Sequence, residues 1–216
     1  MPTRAFIAVL AVLASAAQQT VDRLAVSIDR HAIFESEILD QIRVVAFLED
    51  KEPDYSRESR RRAADRLIEL TLIRREMEVS RFAAPTSKEA VPLLAEFRKS
   101  QYADDTKYAE ALASRNLREE DLLGNLLAQL TLTRFIAFRF RPGVRVEQEE
   151  ITEYYRETFA PEWEKAHTSE PVPPVDEARA EIEDRLAEEK VDVALDDWLK
   201  ATRATSRIIY RAEVFE

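Results

Sequence analysis

Few residues in this sequence are of types able to do chemistry. There is no cysteine, and the only two histidines are His31 and His167. They lie far apart in the chain, so they are not the His-x-x-x-His pair that a helical zinc site needs. The acidic run Glu147, Glu149, Glu150, Glu153 and Glu157 suggests a cation site at first sight. It lacks the glycine turn and the alternating carboxylates of a calcium loop. It reads instead as a solvated face near a helix N-terminus, where negative charge is favourable. A hydrolase or transferase needs a nucleophile beside a base, or a metal. No such set assembles, so no catalytic residue, metal ligand or cofactor is expected. What remains is aromatic surface. Phe135, Phe138, Phe140, Tyr154 and Tyr155, with Phe159 and Trp163 close behind, are flanked by Arg134, Arg139 and Arg141. Aromatic rings bury much area and arginine pairs with carboxylates and carbonyls, so these five residues form a candidate site for extended polypeptide. Ordinary core packing is the competing reading for each of them.

These residues must be carried by helices. In "VDRLAVSIDRHAIFESEI", Leu24, Val26 and Ile28 alternate with Arg23, Ala25, Ser27 and Asp29, a period of two that marks a strand. The chain then turns at Asp29-Arg30-His31, and Ser36 suits the N-cap of a helix reaching about Glu49. Ser56 caps a helix over roughly 57–82 whose apolar arc is broad enough to touch neighbours on two sides. The "TSKE" box at Thr86–Glu89 opens a helix to about Gln101, weakened by Pro92. A short helix over 104–115 follows, with Asn116 as its C-cap. The spacing next predicts a long apolar helix over 118–140, broken by Pro142-Gly143, and another over 147–159. The segment 160–175 carries four prolines and reads as a linker. Asp176 caps a final helix to about Arg203. Arg207 to Phe215 alternates again, a second strand signal at the far end of the chain.

Composition narrows the function classes. The chain has 216 residues, of which 45% are hydrophobic and 34% charged, which is globular composition with a very polar surface. The net charge of −10 is opposite to the basic field a nucleic-acid binder needs. The arginines at 57, 60, 61, 62 and 66 read as a solvated helix face neutralised by Glu49, Asp50, Glu52, Asp54 and Glu58. Two glycines, Gly124 and Gly143, are too few for the loops that cradle phosphates, so no nucleotide is expected. Residues 1–17 have the charged start, apolar stretch and Ala-Ser-Ala end of a cleaved signal peptide. An uncleaved membrane anchor is the alternative for that segment. The expected organisation is a signal peptide over 1–17 and a single module over 18–216. The module has a helical core over 36–159, the proline-rich linker over 160–175 and a C-terminal helix and strand over 176–216.

The order of segments carries a resemblance. "VDRLAVSIDRHAIFESEI", "RLIELTLIRREM", "YAEALASRNLREEDLLGNLLAQLTLTRFI", "VEQEEITEYYRE" and "DDWLKATRATSRIIYRAEVF" follow one another as in the SurA-type periplasmic chaperones and their parvulin-like relatives. The chain resembles that family over about 21–159 and 176–216. The resemblance implies a mainly α fold, a helical chaperone module whose N- and C-terminal strands pair into a small antiparallel sheet. It also implies a periplasmic, ATP-independent holdase whose partners are unfolded outer-membrane or secreted proteins. Family members with isomerase activity insert a parvulin domain before the last long helix. Here that place holds only residues 160–175, far short of the roughly 50 residues of a small domain. Isomerase activity is therefore not carried over. Two readings compete with the holdase: a scaffold for one dedicated envelope partner, and a degenerate prolyl isomerase. The sequence leaves the oligomeric state open.

Overall fold

The computed structural model describes residues 22–215, so the signal peptide expected over 1–17 lies outside the described residues. Strand β1 (Leu24–Ile28) turns at Asp29-Arg30 and returns as β2 (His31–Phe34). Asp29 sits at φ 51°, a left-handed conformation that aspartate tolerates better than most side chains. The sequence reading has one strand followed directly by a helix, and it misses β2. Four residues with only Ile33 buried are too short for an alternation to register. An irregularity in the β1–β2 register between Leu24 and Val26 also breaks the expected in-out pattern. Ala25, expected to face outward, is fully buried beside Val26.

Strand β3 (Ile208–Tyr210) pairs antiparallel with β1, matching Val26 to Tyr210 and Ile28 to Ile208. The sheet order is β2-β1-β3, with the first strand of the described chain at its centre. The alternation expected through Phe215 stops at Tyr210, because Ala212–Val214 forms a 3₁₀ turn. That turn drops Val214 and Phe215 into the core, at 1% and 5% exposure. Asp29 ties the hairpin to β3 and to the helices. Its carboxylate accepts the Arg207 N–H at 2.9 Å and the Arg75 guanidinium at 2.7 Å. The Arg207 amide most of all, then Arg75, holds that carboxyl below the usual range.

Helix α1 (Glu35–Leu48) starts two residues earlier than the Ser36 cap would place it. The Phe34 N–H donates to the Glu37 carboxylate at 2.7 Å, while Ser36 turns to Asp22. In α2 (Arg57–Val79), Ser56 caps as expected, its hydroxyl accepting the Ser59 N–H at 3.3 Å. Helix α3 (Ser87–Gln101) opens on the Thr86–Glu89 box and keeps Pro92 inside it. Then come α4 (Asp105–Ser114), closed by Asn116 at φ 51°, and α5 (Glu119–Phe140). Helix α6 (Gln148–Tyr154) does not end at Phe159. A π turn, Tyr155–Phe159, carries it into α7 (Ala160–Ala166), so the expected linker over 160–175 is helical in its first seven residues. Pro161 has no N–H for an ordinary helical bond. The widened turn, in which Ala160 N–H reaches Tyr155 O, lets the helix pass it. Tyr155, Phe159, Trp163 and His167 stack along one side of this rod, one turn apart. Helix α8 (Val175–Thr205) begins after Pro174, two residues before the Asp176 cap would allow.

Three apolar cores result. The first joins the sheet to α1, α2 and the chain end through Val26, Ile28, Ile38, Ile68, Leu72 and Val214. The second packs the end of α1 on α3, α4 and the start of α5, around Phe47, Leu94 and Leu122. The third seats α6 and its π turn on α8 through Ile151, Phe159 and Ile182. The fold is mainly α with a small antiparallel sheet made by the N- and C-terminal strands.

The arginines of α2 are partnered differently from the sequence reading. Of the five expected acids, only Glu58 is ion-paired with one of these arginines, Arg62 at 2.6 Å. Arg60 faces Glu35 at 3.8 Å and donates to Val214 O at 3.3 Å. Arg61 pairs with Asp65 and stacks over the Tyr210 ring, 3.4 Å from its centroid. Asp65 also accepts from Arg203 at 2.8 Å and from the Tyr210 hydroxyl, joining α2, α8 and β3.

Burial alone would raise the Asp65 carboxyl, but Tyr210, Arg203 and Arg61 outweigh it and hold it below its ordinary value. A carboxylate with a depressed folded pKa contributes stability that is complete above its unfolded value, about 3.9. That contribution fades as pH falls through the lower folded value. Neighbouring Glu69 is shifted up by burial, so its protonation partly opposes this loss. We expect Asp65→Asn to lower the urea midpoint at pH 7. The gap to the parent should shrink as both are titrated below about pH 3. A pH-independent gap would show that the Asp65 charge is not what matters.

Gly124, inside α5, provides a second check. A Cβ built there meets no atom within 4 Å. A mid-helix glycine costs roughly 0.5–1 kcal/mol relative to alanine. Gly124→Ala should therefore stabilise the protein by about that amount in urea unfolding, and a destabilised variant would show that α5 is not a regular helix there.

Candidate polypeptide-binding cleft

The five aromatic residues singled out in the sequence do not form one site. Phe135 is 1% exposed and packs edge-on against Phe82, with ring centroids 5.3 Å apart. Phe138, one turn on, also touches Phe82 but is 50% exposed. Phe140 is buried on the other side of α5, against Trp198 of α8. Tyr154 and Tyr155 belong to the third core, and the Tyr155 hydroxyl donates to Pro173 O at 2.8 Å. Of the five, Phe138 alone presents a largely open ring. The arginines flanking the cluster are engaged as well: Arg134 with Glu89, Arg139 with Glu76, Arg141 with Asp184.

The open apolar surface lies elsewhere. A cleft of about 1270 Å³ runs between α2 and α5, with α1 forming its third side. Val45 of α1, Leu67 and Leu70 of α2, and Leu132 of α5 line it while only half-buried. Gly124 and Ala128, one turn apart on α5, keep that wall low, and Asn125 and Gln129 add a polar edge. Small-molecule sites are typically about 300–1,000 Å³ and mostly enclosed by apolar side chains. This cleft is larger and rimmed by charge, dimensions that suit a polypeptide segment.

Its charged groups differ in how they are partnered. Six carboxylates line it, and each already has a partner. Asp40 is held by Arg43, Asp121 by Arg118, Glu49 by Lys51 and Glu52 by Arg115. Glu37 caps α1 at Phe34 N–H, and Asp54 accepts from Ser56 and Ser59. Among the described residues, Arg66 and Arg74 of the same lining have no carboxylate within 4.0 Å. Glu69, one turn from Arg66, pairs with Arg203 instead. Glu37 and Asp54 hold only neutral donors, so formal charge in the lining is balanced, and Arg66 and Arg74 are the two cations of the cleft left without a carboxylate partner.

This arrangement can bind but holds no reacting set. Asp54 beside Ser59 is the nearest thing to a base beside a hydroxyl. The Ser59 hydroxyl, then the Ser56 amide and hydroxyl, pull the Asp54 carboxyl below its usual range, so it is a weak acceptor for a proton. The two histidines stay outside, His31 exposed in β2 and His167 stacked on Trp163 with centroids 4.0 Å apart. Glu150 of the acidic run caps α6 at Glu147 N–H and pairs with Lys190. Among the described residues no three His, Cys, Asp or Glu converge as metal ligands, and no helix is long and apolar enough to cross a membrane.

The sequence did carry a trace of the cleft. Arg62, Arg66, Leu70 and Arg74 recur every four residues along α2, outside the buried positions Ala64, Ile68 and Leu72. The broad apolar arc expected for this helix has Ala63 and Ala64 on the sheet core, while its Leu67 and Leu70 line the cleft; Arg62 and Arg66 of the row read in sequence only as a solvated face. No family model and no curated protein matches this chain, so any functional reading rests on its geometry and its segment order.

Proposed function

We propose that the protein is a non-catalytic polypeptide-binding module of the cell envelope, an ATP-independent holdase for unfolded outer-membrane or secreted proteins, without an isomerase domain. The observation that carries this reading is the open cleft between α2 and α5, lined by half-buried aliphatic side chains. Half-buried apolar walls bind non-native chain by removing more apolar area from water, a gain of about 25 cal/mol per Å² before ordering costs. No covalent step or nucleotide is required, so exchange is limited only by dissociation. Phe138 extends the apolar surface at the far end of α5. The resemblance in segment order to SurA-type chaperones supports the same reading.

The test is suppression of aggregation. The purified protein, in stoichiometric excess and without nucleotide, should hold a urea-diluted outer-membrane protein in solution, read by light scattering. Scattering unchanged by the protein would remove the proposal.

A further inference from the structure

We infer that the cleft selects extended polypeptide in which two carboxylates four residues apart flank an apolar residue, the pattern acidic-x-apolar-x-acidic. This rests on the polypeptide-binding reading above and names the segment that the cleft takes.

Three observations lead there. The first is charge. Every carboxylate lining the cleft is engaged by a guanidinium, an ammonium, a hydroxyl or a backbone amide, whereas Arg66 and Arg74 are not ion-paired. An occupant that supplies carboxylates completes two charge-assisted pairs and displaces none that exist. An occupant that supplies lysines meets acids that already hold a hydrogen-bond or ion-pair partner.

The second is spacing. Arg66, Leu70 and Arg74 stand on one row of α2, successive residues one turn apart, and all three line the cleft. At 1.5 Å per residue the two arginine Cα atoms are roughly 12 Å apart along the axis, with Leu70 midway. An extended chain advances about 3.3 Å per residue and shows every second side chain on the same face. Residues i, i+2 and i+4 therefore span roughly 13 Å on one face. They meet Arg66, Leu70 and Arg74 in register, in either chain direction.

The third is access. Arg66 and Arg74 are exposed and Leu70 is half-buried, so an occupant reaches all three without unfolding α2. Opposite them, Gly124 and Ala128 leave room for its backbone, and the Asn125 and Gln129 side chains offer partners to its peptide groups.

The experiment is fluorescence anisotropy on the full chain with labelled nine-residue peptides. One peptide carries Asp-Ser-Leu-Ser-Asp at its centre, a second is a same-composition isomer with the two aspartates adjacent, and a third replaces both aspartates with lysine. We expect the first to bind about tenfold tighter than either of the others, with the advantage lost at high salt. In the R66E/R74E variant the preference should invert, with the lysine peptide binding tightest. Gain of binding by the swapped pair is a result that a misfolded variant cannot produce. Equal affinity of all three peptides would overturn the pattern and leave the holdase reading standing. Binding of none of them, together with no suppression of aggregation, would overturn both. Self-association through the cleft, seen as a dimer in sedimentation that the first peptide fails to dissociate, would also overturn the inference.

Discussion

Ending the chain after Ser206 should abolish cooperative folding of the sheet and of the helices packed on it. The truncation removes β3, which pairs with the central strand, and with it Val214 and Phe215, both almost completely buried. Burial of each such side chain is worth about 1.5–3 kcal/mol, so the two account for roughly 3–6 kcal/mol. Ile208 and Tyr210 pack on the same core and add to that. Asp29 loses its Arg207 partner, and Asp65 loses the Tyr210 hydroxyl. Domains of this size have a total stability of about 5–15 kcal/mol, so the loss approaches the whole. Removing residues 22–29 from the other end should be as damaging, because it deletes the strand between β2 and β3. Urea unfolding followed by circular dichroism reads both. A truncation at 206 that unfolds at the parent midpoint would show that the two chain ends are not fastened to each other. Phe215→Ala separates packing from strand pairing, with an expected cost of about 3–5 kcal/mol and the sheet intact.

Phe135→Ala and Phe138→Ala should differ sharply although the residues are one turn apart. Phe135 is the largest fully buried side chain among the described residues, wedged against Phe82, and its truncation leaves a cavity costing about 3–5 kcal/mol. Phe138 is half-exposed, so its truncation should cost under about 1 kcal/mol. In the client assay the order reverses. A photocrosslinker replacing Phe138 should label a bound outer-membrane protein, and one replacing Tyr154 should not, because that ring belongs to the third core. Labelling at Tyr154 with silence at Phe138 would move the binding surface from the cleft end of α5 to α6.

Much of the fold was legible because helices announce themselves locally. The Ser56 cap, the Thr86–Glu89 box and the Pro142-Gly143 break each act within a few residues, and α2, α3 and α5 stand close to where those signals place them. A strand signal at each end was also legible from alternation, and the pairing of the two, which the resemblance in segment order implies, is present. Three features escaped for physical reasons. β2 has a single inward residue, so it has no period. α7 survives Pro161 only through a π turn, whose i to i−5 bond leaves no mark in composition. Val214 and Phe215 are buried by a 3₁₀ turn that sends neighbouring residues the same way, against any strand pattern.

The site was the least legible part. Phe135, Phe138, Phe140, Tyr154 and Tyr155 are close in sequence, but a helix sends Phe140, two and five residues from the other two phenylalanines, to a different side, and Pro142-Gly143 turns the chain between Phe140 and Tyr154. They reach three different surroundings: the Phe82 contact, the Trp198 seam and the third core. The cleft instead sets α5 against the consecutive helices α1 and α2, with α3 and α4 intervening in the chain.

By itself the sequence determined the helical class, most helix boundaries, the strand at each end, and an acidic net charge. These follow from caps, breakers, periodicity and net charge, which act locally or are sums over the chain. Only the tertiary structure decided which apolar residues remain half-open and which charges lack partners. Whether Leu70 is core or wall depends on how far α5 stands from α2, and whether Arg66 is free depends on Glu69 having turned to Arg203 of α8. Exposure and ion pairing are properties of distances between segments remote in the chain, and no local pattern encodes them.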